Sequence, residues 1–225
     1  PELTVNAFND VEICEGEFAN INALAGGGLG SGYTYTWDNG LSSGIPQLVS
    51  PSTTTVYNVT VTDGCETPSA TSQVTITVNP LPLPDFTANV TEGCMPLGVE
   101  FTGNTSADCQ WKFGDGTSSN DCGTVSKTYD YDGCWDVSLT LTSLFGCENT
   151  INYSDLICVY ELPEANFVSD PEVVSILNPV VNFENQSSAN SSTYEWSFGE
   201  GGFLNGDFDI TQQDPKFTFP HDQAT

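Results

Sequence analysis

Eight cysteines and thirty carboxylates are the side chains in this 225-residue sequence with the most chemistry to offer. Nucleophilic catalysis needs a nucleophile beside a base, and structural zinc needs closely spaced thiolates and imidazoles. The chain has one histidine, His221, and no CxxC pair. No nucleophile–base pair and no zinc site can be nominated. An even number of well-spread cysteines suits disulfides instead, which form in oxidising, extracellular-type compartments.

The first stretch of chain holds two cysteines, and the simplest pairing is Cys14–Cys65. The next holds six, which allow roughly 15 connectivities. Opposite residues of a hairpin keep a constant index sum, and this narrows the choice. Cys109–Cys122 centres on the turn at Asp115-Gly116, and Cys134–Cys158 centres on Gly146. Cys94–Cys147 is the remainder.

The acids are scarcely balanced: Lys112, Lys127 and Lys216 are the only cations, arginine is absent, and the net charge is −27. Nucleic-acid phosphates and anionic lipid both need cations, so neither is an expected partner. No apolar run is long enough to span a bilayer, so direct membrane insertion is not expected. Carboxylates are ligands for calcium, and Asp115, Asp121, Asp130 and Asp132 are the candidates. None has EF-hand spacing, and solvated turn residues are the preferred reading. No cofactor is expected, calcium being the sole candidate. An isopeptide bond would need a buried lysine, but Lys112 alternates outward between Trp111 and Phe113.

The elements that carry these side chains are strands. Tyr57 to Thr62, Val74 to Val78 and Val137 to Thr142 alternate apolar and polar residues, each segment placing one face in a core. Helical periodicity is nearly absent, and short strands between Gly, Pro, Asn, Asp and Ser predict an all-β chain of antiparallel sandwiches. Tyr33 and Tyr35 share the face of Trp37, so core packing is expected of them rather than sugar binding.

A phrase occurs twice. Trp111-Lys112-Phe113-Gly114-Asp115-Gly116 returns 85 residues later as Trp196-Ser197-Phe198-Gly199-Glu200-Gly201. Phe86 and Phe101 return as Phe167 and Phe183, at steps of 81 and 82. Such a period is that of a small domain. Proline-bearing joints at Pro80 to Pro84 and at Pro163 divide the chain into residues 1–79, 80–163 and 164–225. Stiff joints of this kind predict an extended arrangement. In the third stretch the Trp196-Ser197-Phe198 strand is followed by an insertion from Phe203 to Gln213. No counterpart of Trp135 to Leu141 follows, so the stretch reads as incomplete, completed by its own longer chain or by a partner. The sequence as a whole reads as a window whose secretion signal and anchor lie outside it.

With Lys127-Thr128-Tyr129, Gly133 and Trp135-Asp136-Val137-Ser138-Leu139, the Trp-x-Phe-Gly-Asp-Gly phrase resembles the PKD (polycystic-kidney-disease) repeat. That resemblance implies tandem Ig-like β-sandwich modules of an extracellular protein. Trp37-Asp38-Asn39-Gly40 and the run from Val49 to Cys65 resemble Ig-like modules of large secreted Bacteroidetes proteins, as do Gly93-Cys94-Met95-Pro96 and Gly146-Cys147. The resemblance implies a non-catalytic stalk of a cell-surface adhesin of the gliding-motility and type IX secretion kind. Its partners would be neighbouring domains, cell-surface or secretion-system proteins, or surface glycans. It would be extracellular, attached to the outer membrane if bacterial. The rival implication is a set of accessory modules of a secreted hydrolase, binding substrate or glycan.

Overall fold

The computed structural model describes residues 1–8, 10–28, 32–65, 67–175, 177–198, 211 and 213–219. Every regular element among them is a strand. Two compact units gather the chain: Pro1–Thr91 with Gly98–Lys127 and Cys134–Ile157, and Glu92–Leu97 with Thr128–Gly133 and Cys158–Thr225.

Seven strands come first: β1 (Thr4–Phe8), β2 (Val11–Cys14), β3 (Ala19–Gly26), β4 (Thr34–Trp37), β5 (Gln47–Val49), β6 (Thr55–Thr62) and β7 (Ala70–Asn79). They form one sheet in the order β1-β3-β5 and another in the order β2-β7-β6-β4. Period-2 alternation builds the core. Tyr57, Val59 and Val61 of β6 are buried and Asn58 between them is exposed; Val74 and Ile76 of β7 and Ile21 of β3 meet them from both sheets. Fully burying each such aliphatic side chain contributes roughly 1.5–3 kcal/mol. Trp37 is buried against this core, and its indole Nε1 donates to the Gly44 carbonyl at 3.0 Å. Tyr33 and Tyr35 pack on the same core. The Tyr33 hydroxyl donates to Gly27 O at 2.8 Å, and the Tyr35 hydroxyl accepts from Ala25 N at 3.1 Å.

Eight strands follow: β8 (Phe86–Ala88), β9 (Glu92–Cys94), β10 (Leu97–Gly103), β11 (Asp108–Lys112), β12 (Ser118–Ser119), β13 (Thr124–Tyr129), β14 (Gly133–Thr142) and β15 (Glu148–Tyr160). Their sheets run β13-β10-β8 and β12-β11-β14-β15-β9. Rings from the two sheets meet: Phe101 of β10 lies 5.8 Å from Trp111 of β11, and Phe86 of β8 lies 5.0 Å from Trp111 in an edge-on contact. Val137, Leu139 and Leu141 of β14 complete this core.

The sandwiches are not purely antiparallel. β2 runs parallel to β7, and β9 runs parallel to β15. In both cases the opening segment divides between the sheets. β1 pairs with β3 and the chain then crosses as β2; β8 pairs with β10 and the chain crosses as β9.

Three strands close the series: β16 (Phe167–Asp170), β17 (Val180–Asn185) and β18 (Lys216–Thr218), in the order β16-β17-β18. This repeats the order β8-β10-β13. The register repeats too, Phe86 facing Gly103 and Phe167 facing Asn185. The expected strand at Trp196-Ser197-Phe198 does not form; that segment has no ladder. The reason is visible in the preceding repeat, where Trp111 of β11 is paired opposite Leu139 of β14. Among the described residues, no strand pairs with Trp196 as β14 pairs with Trp111. The Glu200 turn, residues 203–210 of the insertion, and His221 lie outside the described residues.

Two expected disulfides are corrected. Cys14 is bonded to Cys147, and Cys65 and Cys94 are free, exposed thiols. A Cys14–Cys65 bridge is geometrically excluded. Cys14 pairs opposite Asn79 at one end of β7, whereas Cys65 follows the end of β6 at which Val61 faces Ala70. The nine steps from Ala70 to Asn79 span about 30 Å, and a disulfide tolerates about 7 Å between Cα atoms. Cys94–Cys147 fails for the same reason. Cys94 faces Tyr160, the last residue of the 13-residue β15, and Cys147 precedes its first. Cys109 is bonded to Cys122 with Cα atoms 5.3 Å apart, and Cys134 and Cys158 are also in disulfide linkage.

Candidate functional site

The first copy of the repeated phrase, residues 111–116, forms a turn in which Trp111, Phe113 and Asp115 each have a structural partner. Trp111 and Phe113 point to one face and stack at 6.3 Å with 7° between ring planes. The Trp111 indole Nε1 donates to the Asp121 carbonyl at 3.0 Å, as Trp37 does to Gly44. Gly114 has φ +82°, and a Cβ there would lie 2.6 Å from Asp136 O, so both the backbone conformation and the space demand glycine. Asp115 Oδ1 accepts from Thr117 N at 3.0 Å and Thr117 Oγ1 at 2.6 Å, and Lys127 Nζ sits 2.6 Å from Asp115 Oδ2. Partial burial pushes the Asp115 carboxyl up. The bonds from Lys127 and Thr117 and the lysine charge outweigh it, holding the group below the usual carboxylate range.

The other three calcium candidates are placed as follows. Asp121 is exposed, with Oδ2 accepting from Ser119 Oγ at 3.0 Å; Asp130 and Asp132 are exposed beside a turn. Among the described residues, no three Asp, Glu, His or Cys side chains converge on a point that could hold a metal.

The Pro80 to Pro84 joint is fastened at several places. Cys14 Sγ is bonded to Cys147 Sγ, with Cα atoms 5.6 Å apart. Asn79, a buried polar residue, donates from Nδ2 to Glu12 Oε2 at 3.4 Å, while its carbonyl accepts from Glu15 N at 3.0 Å. Asn149 Nδ2 donates to Pro82 O at 2.9 Å, and Asn104 Nδ2 donates to Leu83 O at 2.6 Å. The Asn104 backbone completes the clasp, its N–H reaching Asp85 O at 3.0 Å. At the Pro163 joint the Gln186 N–H donates to Asn166 O at 2.8 Å and Asn190 Nδ2 donates to Glu161 O at 3.0 Å. The first joint therefore carries a covalent fastener as well as hydrogen bonds.

The third stretch presents a groove of about 580 Å³, with Phe167, Phe183, Tyr194, Trp196 and Phe198 among the residues that line it. This groove was not anticipated from the sequence. The fastened joint was missed as well, because hairpin index sums find only bridges within a hairpin.

Residues 79–158 match the family model of the PKD domain. The PKD-matching region thus runs from Asn79, at the joint, to Cys158 near the end of β15. No curated protein matches the chain. Among solved structures, a bacterial ice-binding adhesin of 1.5 MDa is 14% identical, with 86% of this chain and 78% of that one covered at a TM-score of 0.39. Three Ig domains of titin are 11% identical, with 97% and 87% covered at 0.40. A protein from Corynebacterium diphtheriae described as membrane-anchored is 11% identical, with 95% and 78% covered at 0.32. Scores this low carry no functional assignment. Among the described residues, no helix is long and apolar enough to cross a membrane.

Proposed function

We propose that this chain is a non-catalytic stalk segment of a large secreted cell-surface adhesin, spacing and presenting adhesive or sorting domains. The observation that carries this reading is the use to which its distinctive residues are put. Trp37, Trp111, Phe113, Asp115 and Lys127 serve cores, turns and a local ion pair, and the joint between the first two sandwiches is closed covalently. Disulfides suit an extracellular setting, and a charge of −27 keeps neighbouring copies apart. Attachment to a bacterial outer membrane through type IX secretion, and use in gliding motility, belong to this proposal and rest on the resemblance alone. Its partners would be neighbouring domains, surface or secretion-system proteins, or surface glycans.

The reading predicts that length and mechanical integrity matter more than surface detail. Exchanging residues 1–163 in the native gene for two unrelated disulfide-bonded Ig-like modules should preserve attachment of the source cells. Loss of attachment despite normal display would overturn it.

One observation favours a second reading, an accessory module of a secreted hydrolase. The groove bearing Tyr194 and Trp196 presents aromatic faces of the kind on which a sugar ring can stack. A glycan array probed with the full chain decides: specific binding that is lost in Trp196→Ala supports this second reading, and no signal removes it.

A further inference from the structure

The Cys14–Cys147 bridge has a mechanical consequence that follows from its position in the covalent chain. It closes a ring across 133 positions. Inside the ring lie β3 to β14, with both principal cores: Ile21, Val59, Val61 and Ile76 of the first sandwich, and Phe101, Trp111, Val137 and Leu139 of the second. Outside it lie residues 1–13 and everything after Cys147. The fastened joint at Pro80 to Pro84 is inside as well.

We propose that this bridge is a covalent bypass that takes residues 15–146 out of the path of tension. A pull applied toward the two ends of the chain passes along residues 1–14, across the two sulfur atoms, and out along β15. Both sandwiches can lose their hydrogen bonds without the chain growing by more than its outer segments. This deepens the stalk reading, and its biological use rests on that reading. The bypass itself rests only on which sulfurs are joined. A pairing within one sandwich, such as Cys109–Cys122 with a separation of 13 residues, shortens one loop and leaves the rest extensible. The bridge between sandwiches spares both at once.

The placement also protects the bridge. Cys147 is 1% exposed, and its Sγ lies 3.9 Å from the Asn79 carbonyl oxygen. Reduction begins with a thiolate attacking one sulfur along the S–S axis. At Cys147 that approach is closed, so only Cys14 is open to attack, and Cys147 would leave as the thiolate.

The test is single-molecule extension of the full 225-residue chain, tethered at residues 1 and 225, with and without dithiothreitol. Fully extended residues span roughly 3.3–3.6 Å each. The reduced chain should therefore be longer at high force than the oxidised one by roughly 440–480 Å, the contour of the ring. The final length does not depend on how well any variant folds. Oxidised Cys109→Ser/Cys122→Ser should match the oxidised wild type, since that pair lies inside the ring. Oxidised Cys14→Ser/Cys147→Ser should recover most of the added length. Peptide mapping under non-reducing conditions should show the Cys14 peptide joined to that of Cys147.

An oxidised chain within about 50 Å of the reduced length, or a Cys14 peptide joined to Cys65, would overturn the proposal. Either failure would leave the stalk reading standing, because that reading concerns where the protein is displayed and what it supports.

Discussion

The aromatic clusters of the second and third stretches share one geometry and differ in burial. Phe86–Trp111 and Phe167–Trp196 lie at 5.0 and 5.3 Å, with ring planes at 75° and 65°. Trp111–Phe113 and Trp196–Phe198 lie at 6.3 and 6.2 Å, at 7° and 9°. Yet Phe86 is 5% exposed and Phe167 is 53% exposed. The three-stranded sheet and the Trp-x-Phe spacing are enough to set how the rings meet. Removing them from water takes a second sheet, in which β14 pairs with Trp111 and Tyr153 of β15 lies 5.0 Å from Phe86. Phe198 compensates in part by stacking on Phe217 at 4.3 Å.

The sharpest way to probe this difference is the same truncation at both tryptophans. Trp111→Ala, in a fully buried site, should cost about 3–5 kcal/mol. Trp196→Ala should cost less than half of that. Urea titrations combined with hydrogen exchange in β11 and β17 would check both, and equal costs would dissolve the comparison.

Gly103 offers a second probe. A Cβ there would lie 2.8 Å from Trp111 Cζ2 and 2.9 Å from Leu139 Cδ2, whereas the third stretch holds Asn185 at the same register position. Gly103→Ala should cost about 1–3 kcal/mol by overpacking, read from its urea midpoint.

Tyr153→Ala strips the cover from Phe86 and should make the second cluster behave more like the third. Its expected cost is about 1 kcal/mol for the edge-on aromatic pair beyond the area lost, with faster exchange in β8.

Asp115 gives the smallest effect, and the third stretch has Glu200 at that place. Its folded pKa is depressed, so the stabilisation is present above the ordinary carboxylate value and is lost as pH falls through the folded value. At pH 7, Asp115→Asn should cost about 0.5–1 kcal/mol, and wild type and variant should converge on acidification. A gap that persists below the folded value would contradict the Lys127 pairing.

Much of this was legible in the residues. Alternation in Tyr57 to Thr62 and in Val137 to Thr142 is a local signal, and it located β6 and β14 and their inward faces. The spacing of Phe86, Phe101 and Trp111 carried over to Phe167, Phe183 and Trp196 because register and ring packing follow from chain-local steps. Two things were not legible. The division of the opening strand between sheets, as β1 and β2, depends on parallel pairing with β7, a contact far off in sequence. The Cys14–Cys147 bridge depends on two strand ends meeting across a joint, which hairpin arithmetic does not address.

The measurement that bears most directly on the stalk reading is an immunoblot of the native polypeptide in surface-shaved cells, intact cells and culture medium. The account predicts a very large, cell-bound species that external protease releases. A released species of ordinary enzyme size, untouched by shaving, would contradict it and assign these modules to a secreted hydrolase.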